Sequence, residues 1–172
     1  HYKVLDFWIE NKMKDVRLRY TTNFSNLYFK EKSILEYWNS FNDVRIAASL
    51  DGMGKRGELI RAGMKWDVIE KNRRQMIKEC PDVYFEITPT VSIMNVYHLP
   101  DFHKDWIERG LLEPQNVRMN ILTYPEDYRI QIIPPKERKK FIDKYTEHIK
   151  WVDDNFGDGA AKRGFESVLD FL

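Results

Sequence analysis

Hydrophobic residues recur along this chain at two spacings, and the two spacings alternate from one end to the other. A spacing of three to four residues predicts helices, which cover residues 1–13, 34–41, 66–79, 100–109, 136–154 and 165–172. Alternating or continuous apolar runs predict strands, which cover residues 16–20, 44–50, 83–91 and 117–122, with a further short strand expected at 128–133. Strands that alternate with helices in this way predict right-handed βαβ units and a parallel sheet.

The fold class predicted from this order is α/β, with four to five parallel strands alternating with helices. A closed eight-stranded barrel typically needs about 250 residues, whereas this chain has 172. We therefore expect a partial (β/α) barrel of the TIM type, or an open sheet of the same strands, over residues 1–155. Gly157 and Gly159 predict a hinge, so residues 156–172 are expected to add a short C-terminal helical extension.

The segment from residue 44 to residue 61 carries the strongest functional signal. Its first half, residues 44–50, is mostly apolar and predicts a strand buried on both faces. The strand stops at the sequence Ser49-Leu50-Asp51-Gly52. Ligands bind at the carboxyl ends of the strands in open and barrel-like α/β sheets. Further glycines and cations in residues 53–63 predict a flexible, basic loop. The end of this strand is therefore the best candidate for a binding site.

Polar side chains stand at the ends of the other predicted strands as well. Asn23 follows the first strand, Thr88 and Thr90 end the third, and Asn120 lies in the fourth. Because the carboxyl ends of parallel strands meet at one edge of a sheet, which we call the mouth, these residues are expected to lie near Ser49. A second interpretation stays open, since polar residues at strand ends also form turns and helix caps.

Composition and charge narrow the class of protein. The chain is 42% hydrophobic and 32% charged, which predicts a soluble, globular protein, and it carries 28 Lys and Arg against 27 Asp and Glu. This balance argues against a polyanionic partner for the whole surface. No apolar run approaches the roughly 20 residues of a membrane span, and no signal peptide is visible. Because Cys80 is the only cysteine, we expect a half-buried structural thiol in a reducing, cytoplasmic environment.

Three histidines are scattered over the second half of the chain. His98 and His103 are five residues apart with a proline between them, so they do not share the i, i+4 helix face of a zinc site. Structural roles are predicted for both of them and for His148. The sequence thus predicts neither a metal ligand nor a catalytic residue.

Four stretches of the chain, in this order, resemble one family of enzymes. They read LRYTTNFSNLYFK, SLDGMGKRGELIRAGMKWDVIEKN, CPDVYFEITPTVSIMNVYHLPDFHKDWIERG and RMNILTYPEDYRIQIIPP. Their order and spacing are similar to the second half of the barrel of radical S-adenosylmethionine enzymes, and most similar to the twitch-domain subgroup. The resemblance runs from the first predicted helix to about Pro135.

The resemblance implies two cofactors for the full-length protein, a 4Fe-4S cluster and S-adenosylmethionine. In this family a CxxxCxxC loop holds the cluster, and the open iron position binds the amino and carboxylate groups of S-adenosylmethionine. Neither that loop nor the GGEP-like loop that grips the methionyl amine occurs in this sequence. Both are expected upstream of residue 1, in agreement with a chain that opens directly in a helical pattern.

The family's cofactor contacts map onto the mouth. The match implies that Ser49 contacts the ribose or carboxylate of S-adenosylmethionine, that Asp51 orients the loop or bonds a ribose hydroxyl, and that Arg61 pairs with the methionyl carboxylate. A surface ion pair is the alternative for Arg61. The other mouth residues expected to contribute cofactor or substrate contacts are Asn23, Thr88, Thr90 and Asn120.

Three functions follow, and the first is favoured. The chain is the C-terminal portion of a radical S-adenosylmethionine enzyme, inactive alone, with a substrate that the sequence does not specify. Alternatively, it is a degenerate stand-alone α/β module that binds a nucleotide-like ligand or a protein partner. The third alternative is a nucleic-acid-associated protein that uses the cations of residues 55–74 and 136–140. Because an incomplete barrel leaves a sheet edge unpaired, the strand at 16–22 is expected to pair with a second copy or with the missing N-terminal half.

Overall fold

The computed structural model describes all 172 residues and confirms the predicted alternation of helices and strands. The helices are α1 (Tyr2–Glu10), α2 (Ile34–Trp38), α3 (Gly54–Ile60), α4 (Trp66–Glu79), α5 (Leu99–Glu108), α6 (Pro135–Phe156) and α7 (Ala160–Leu169). The strands are β1 (Arg17–Thr22), β2 (Tyr28–Phe29), β3 (Lys32–Ser33), β4 (Asp43–Ala48), β5 (Tyr84–Ile87), β6 (Thr90–Val91) and β7 (Asn120–Ile121). None of the helices combines the length and the apolar composition needed to cross a bilayer.

The parallel strands lie side by side in chain order. β1 pairs with β4, and β4 pairs with β5. A parallel bridge between Ile87 and Val117 then leads to the pairing of β6 with β7. The strands do not close on themselves, so the chain forms a partial α/β fold with a parallel sheet.

The third predicted strand is interrupted where its proline lies. β5 ends at Ile87 and β6 begins at Thr90, with Pro89 between them. Proline cannot donate to the ladder, but its carbonyl still accepts from the Asn120 amide at 3.0 Å. The two short strands therefore act as one continuous element that pairs with the chain around Val117 and with β7.

Residues 53–63, expected to be a flexible loop, instead contain helix α3. The glycines of this segment lower its helix propensity, and a contact with the next helix compensates. The Glu58 carboxylate accepts from the backbone amide of Trp66 at 2.9 Å and from the Lys55 ammonium at 2.9 Å. The prediction of a loop was wrong because this support comes from outside the segment.

The short strand expected at 128–133 is also wrong. Two 3-10 turns, Glu126–Tyr128 and Ile130–Ile132, occupy this part of the chain. Prolines on both sides, at positions 125 and 134, limit backbone hydrogen bonding, and Ile130 is fully buried. The alternation of polar and apolar residues here reflects two buried side chains, Ile130 and Ile133, in a segment of turns.

The helices cover one face of the sheet, and the core lies between that face and the helices. One cluster of 36 buried hydrophobic residues forms it. Its strand contributions include Leu18, Ile46, Phe85, Ile87 and Val117. The alternate strand positions carry polar side chains on the other face. We call this the open face; apart from Ala47 its side chains are polar, and it comprises Arg17, Arg19, Thr21, Asp43, Arg45, Ala47, Tyr84, Glu86 and Arg118. The expectation that β4 is buried on both faces is therefore wrong, since Arg45 is exposed on the open face.

Candidate functional site

Asp51 is the centre of the mouth, and its side chain is only 7% exposed. One carboxylate oxygen, Oδ1, accepts from the backbone amide of Thr90 at 2.7 Å. The other, Oδ2, lies 2.7 Å from Nε of Arg61, although Nε is not aligned to donate a hydrogen bond. This contact is therefore an ion pair. Asp51 thus ties the end of β4 to β6 and to the residue that follows α3.

Asn95, which no sequence motif singles out, completes this brace. It is 1% exposed, and its Nδ2 donates to the carbonyl oxygens of Asp51 and Thr90, both at 2.8 Å. Its Oδ1 accepts from the amide of Ser92 at 2.8 Å. Every polar atom of the Asn95 side chain is used, so the loops after β4 and β6 are held together as one unit. An asparagine in a polar loop is too common to have signalled this.

Helix α3 rests directly on the strand tip. A Cβ atom on Gly57 would lie 2.5 Å from the carbonyl oxygen of Gly52, so only glycine allows this approach. Nη1 of Arg56 donates to the carbonyl oxygen of Met94 at 2.7 Å. Three contacts, through Arg56, Gly57 and Glu58, therefore hold in place the segment that follows the mouth.

Ser49 and Thr88 lie next to each other on the open side of the sheet. The Ser49 amide donates to Thr22 O, and the Thr88 amide donates to Ala48 O, both at 2.8 Å. The ladder therefore continues one residue past the pair Ala48–Ile87, and alternation turns both side chains away from the helices. The Thr88 hydroxyl lies 3.4 Å from Ala48 O. The Ser49 hydroxyl makes no hydrogen bond within the chain and is half-buried.

The two asparagines at the mouth differ in their surroundings. Asn120 is the register partner of Thr90; its side chain is exposed and makes no hydrogen bond within the chain. Asn23 is exposed as well, but its Oδ1 accepts from the Ser25 amide at 3.1 Å and from the Ser25 hydroxyl at 2.8 Å. The structure thus brings six predicted residues to one edge, while the Asn23 side chain forms a turn.

The single thiol lies at the other end of the sheet, just before β5. Cys80 is 1% exposed, and its Sγ donates to Leu35 O at 3.3 Å. Burial, together with nearby Glu79, raises the pKa of the thiol to about 11.

No three His, Cys, Asp or Glu side chains come together as a metal site. The residues of this chain therefore do not fit an iron–sulfur cluster.

The chemistry available at the mouth is hydrogen bonding to a ligand. Asp51 and Arg61 neutralise each other, whereas the Ser49 hydroxyl and the Asn120 amide are free. A hydroxyl and an amide both donate and accept, so together they suit a ligand with hydroxyl, amine or carboxylate groups.

In comparisons with protein-family models, with curated proteins and with solved structures, no match to the chain was found.

Proposed function

We propose that this chain is the C-terminal portion of a radical S-adenosylmethionine enzyme and supplies contacts to the cofactor and the substrate. Two independent features support the proposal. The four sequence stretches occur in the order typical of that family. The parallel strands also lie in chain order with their helices on one face, as expected of part of a (β/α) barrel of the TIM type.

The observation that carries the proposal is that two polar side chains at the mouth, those of Ser49 and Asn120, have no hydrogen-bond partner within the chain. Ser49 and Asn120 hold an unpaired hydroxyl and an unpaired amide, beside the brace formed by Asp51, Thr90 and Asn95. A ligand that binds here meets donors and acceptors whose backbone is already fixed, which lowers the entropic cost of binding. Ser49 and Asn120 are the residues we assign to the adenosyl part of the cofactor.

Asp51 and Arg61 act as positioning residues in this proposal. Both oxygens of the Asp51 carboxylate are engaged, so this side chain holds the strand tip in place. Direct contact with the cofactor is then made by Ser49 and Asn120. Bound S-adenosylmethionine, with the cluster, supplies the 5′-deoxyadenosyl radical in this family. The proposal requires cluster ligands from outside this chain, and assigns to the residues of this chain the binding and orientation of the cofactor.

Isothermal titration with S-adenosylhomocysteine tests the proposal. We expect binding by the purified chain, and a loss of affinity of about tenfold in Ser49→Ala and in Asn120→Ala, because each removes one hydrogen bond to the ligand. Ser40→Ala is the matched control, since Ser40 is half-buried like Ser49 but precedes β4 at the other end of the strand, with its hydroxyl donating to Glu36 O. No heat at millimolar ligand, or equal affinity in all four proteins, would contradict the assignment.

The stand-alone binding module is the second candidate, and the brace at the mouth favours it, because Asp51, Thr90 and Asn95 hold one another entirely within this chain. The two candidates differ in the part of the ligand that matters. A cofactor site for S-adenosylmethionine requires recognition of the methionyl arm, whereas a nucleotide module recognises the nucleoside alone. Equal affinity for adenosine and S-adenosylhomocysteine would identify the module.

A further inference from the structure

A second feature of the open face lies below the mouth, in the middle of the strands. Arg19 of β1 and Arg45 of β4 are direct register partners, and both are exposed. Like charges directly opposite each other on neighbouring strands destabilise a sheet. This pair lies on the uncovered side of the sheet, and the fold itself does not need it.

The open face has too few carboxylates to neutralise the positive charge of its arginines. Asp43 lies 3.3 Å from Nε of Arg45 and 3.4 Å from Nε of Arg17, so it is shared between two guanidinium groups. Glu86 pairs with Arg118 at 3.0 Å. Arg19 takes part in no ion pair. Four arginines thus face two carboxylates, although the whole chain has a net charge of only +1.

The same residues surround a cavity of about 360 Å³. Ala47 lies at its base, in register between Thr21 and Glu86, and its small side chain leaves the space open. Its walls include the side chains of Arg19, Arg45, Tyr84 and Arg118. The Arg45 guanidinium lies 5.2 Å from the centre of the Tyr84 ring, which restrains its orientation. Small-molecule sites typically have volumes of about 300–1,000 Å³.

We propose that this cavity binds the oxyanion of a small molecule, a phosphate or a carboxylate group, between Arg19 and Arg45. Guanidinium groups bind both kinds of oxyanion through two parallel hydrogen bonds. An anion at this position removes the repulsion between the two arginines, and the excess of positive charge attracts it. The site is separate from Ser49 and Asn120, and its existence does not depend on the cofactor proposed for the mouth.

Titration calorimetry at low salt, with pyrophosphate and with citrate as probes, tests this site. We expect millimolar or tighter binding of at least one probe, and the better probe identifies phosphate or carboxylate as the preferred group. Arg19→Gln and Arg45→Gln are each expected to raise the Kd tenfold or more, since each removes a charged hydrogen-bond donor. Ala47→Leu, which changes no charge, is expected to reduce binding as strongly by filling the cavity.

Arg74→Gln is the matched control. Arg74 is an exposed arginine of α4, on the helical side of the molecule, so this variant removes the same charge elsewhere and should bind like the wild type. Circular dichroism of each variant checks that the fold is intact. The proposal is overturned if neither probe binds, if Arg74→Gln weakens binding as much as Arg19→Gln, or if folded Ala47→Leu binds normally. It is also overturned if a single-stranded oligonucleotide binds the same face far more tightly than either probe. Because S-adenosylhomocysteine is absent here, failure of this site leaves the test of the mouth unaffected.

Discussion

His103 and His148 face each other in the core, with Nδ1 of His103 3.0 Å from Nε2 of His148. Nε2 of His103 lies 2.9 Å from the carbonyl oxygen of Pro114, which can only accept, so this nitrogen carries the proton. Nδ1 of the neutral His103 ring is then the acceptor, and Nε2 of His148 donates to it. The pair joins α5, α6 and the chain before β7 through one proton arrangement, in which Nδ1 of His103 has to stay unprotonated.

This arrangement predicts a loss of stability in mild acid. Burial lowers the pKa of His103 from 6.5 to about 4. For His148, burial, followed by His103, Lys104 and Lys144, lowers the pKa to about 3. The unfolded chain binds these protons first, so the stabilisation is complete above pH 6.5 and is lost as the pH falls towards the folded pKa values. At pH 5 each histidine is expected to cost about 2 kcal/mol of unfolding free energy.

Urea unfolding between pH 7.5 and pH 5 measures this effect, in a range where most carboxylates stay ionised. His98→Gln is the control, because His98 is partly exposed and lies outside the buried pair. Its pKa is lowered by burial and by the nearby charges of Arg56 and Lys144. The pH slope of this variant should remain close to that of the wild type. A profile that is flat from pH 7.5 to pH 5 in the wild type would contradict the proton arrangement.

The Asp51 brace predicts a large penalty for removing one carboxylate. Asp51→Ala leaves the Thr90 amide and the Arg61 guanidinium without their partner, and we expect a loss of about 2–4 kcal/mol in unfolding free energy. Asp51→Asn keeps an acceptor for Thr90 and should lose about half as much. Asp82→Asn is the matched control, because Asp82 is exposed and forms no ion pair. Urea unfolding of the three variants gives the order, and equal stability of Asp51→Ala and the control would refute the brace.

The sequence predicted those elements of the fold whose signal is local. The apolar run of β4 and the pattern of α4 are complete within their own segments, and α4 has the bounds that were expected. α3 was missed because its support is a contact between Glu58 and Trp66. The segment around Ile130 was mistaken for a strand because alternation alone does not separate a strand from turns that bury two side chains, Ile130 and Ile133.

For the candidate site, the sequence predicted where the residues lie but not which side chains contact each other. Strand order placed Ser49, Asp51 and Thr88 at one edge of the sheet, since parallel strands end together. That Asp51 would be engaged by Arg61 depends on the path of α3, which the sequence did not reveal. His103 and His148 are likewise separated by 45 positions, and only the packing of α5 against α6 brings them together.

The outer edge of β1 predicts self-association or pairing with an upstream strand. β1 is an outermost strand of the three-stranded sheet. Because Thr22 O accepts from the Ser49 amide, alternation points the Thr21 amide away from β4. We expect Thr21→Pro to weaken self-association at least tenfold by removing this outward donor, whereas Thr21→Val, which keeps the amide, should have no effect. Sedimentation velocity measures the change. A monomeric wild type whose Thr21 amide exchanges slowly would show that the edge is already covered.

The close approach of α3 to the strand tip predicts opposite effects for the same substitution at two glycines. In Gly57→Ala the new Cβ would lie 2.5 Å from the carbonyl oxygen of Gly52, which is backbone and must move. We expect a loss of about 1–3 kcal/mol in unfolding free energy. In Gly164→Ala, within α7, the nearest atom is Met119 Cγ at 3.5 Å, an ordinary contact, so the gain in helix propensity should stabilise the protein by about 0.5–1 kcal/mol.

Both glycines lie within helices, so the gain in propensity is common to the two variants and their difference isolates the steric contact with Gly52. Thermal unfolding should therefore show a lower midpoint for Gly57→Ala and a higher one for Gly164→Ala than for the wild type. Since the tip displaced in Gly57→Ala also carries Asp51, its affinity for S-adenosylhomocysteine should fall as well, while Gly164→Ala binds normally. Stabilisation by both substitutions would mean that α3 lies farther from the strand tip than the structure shows.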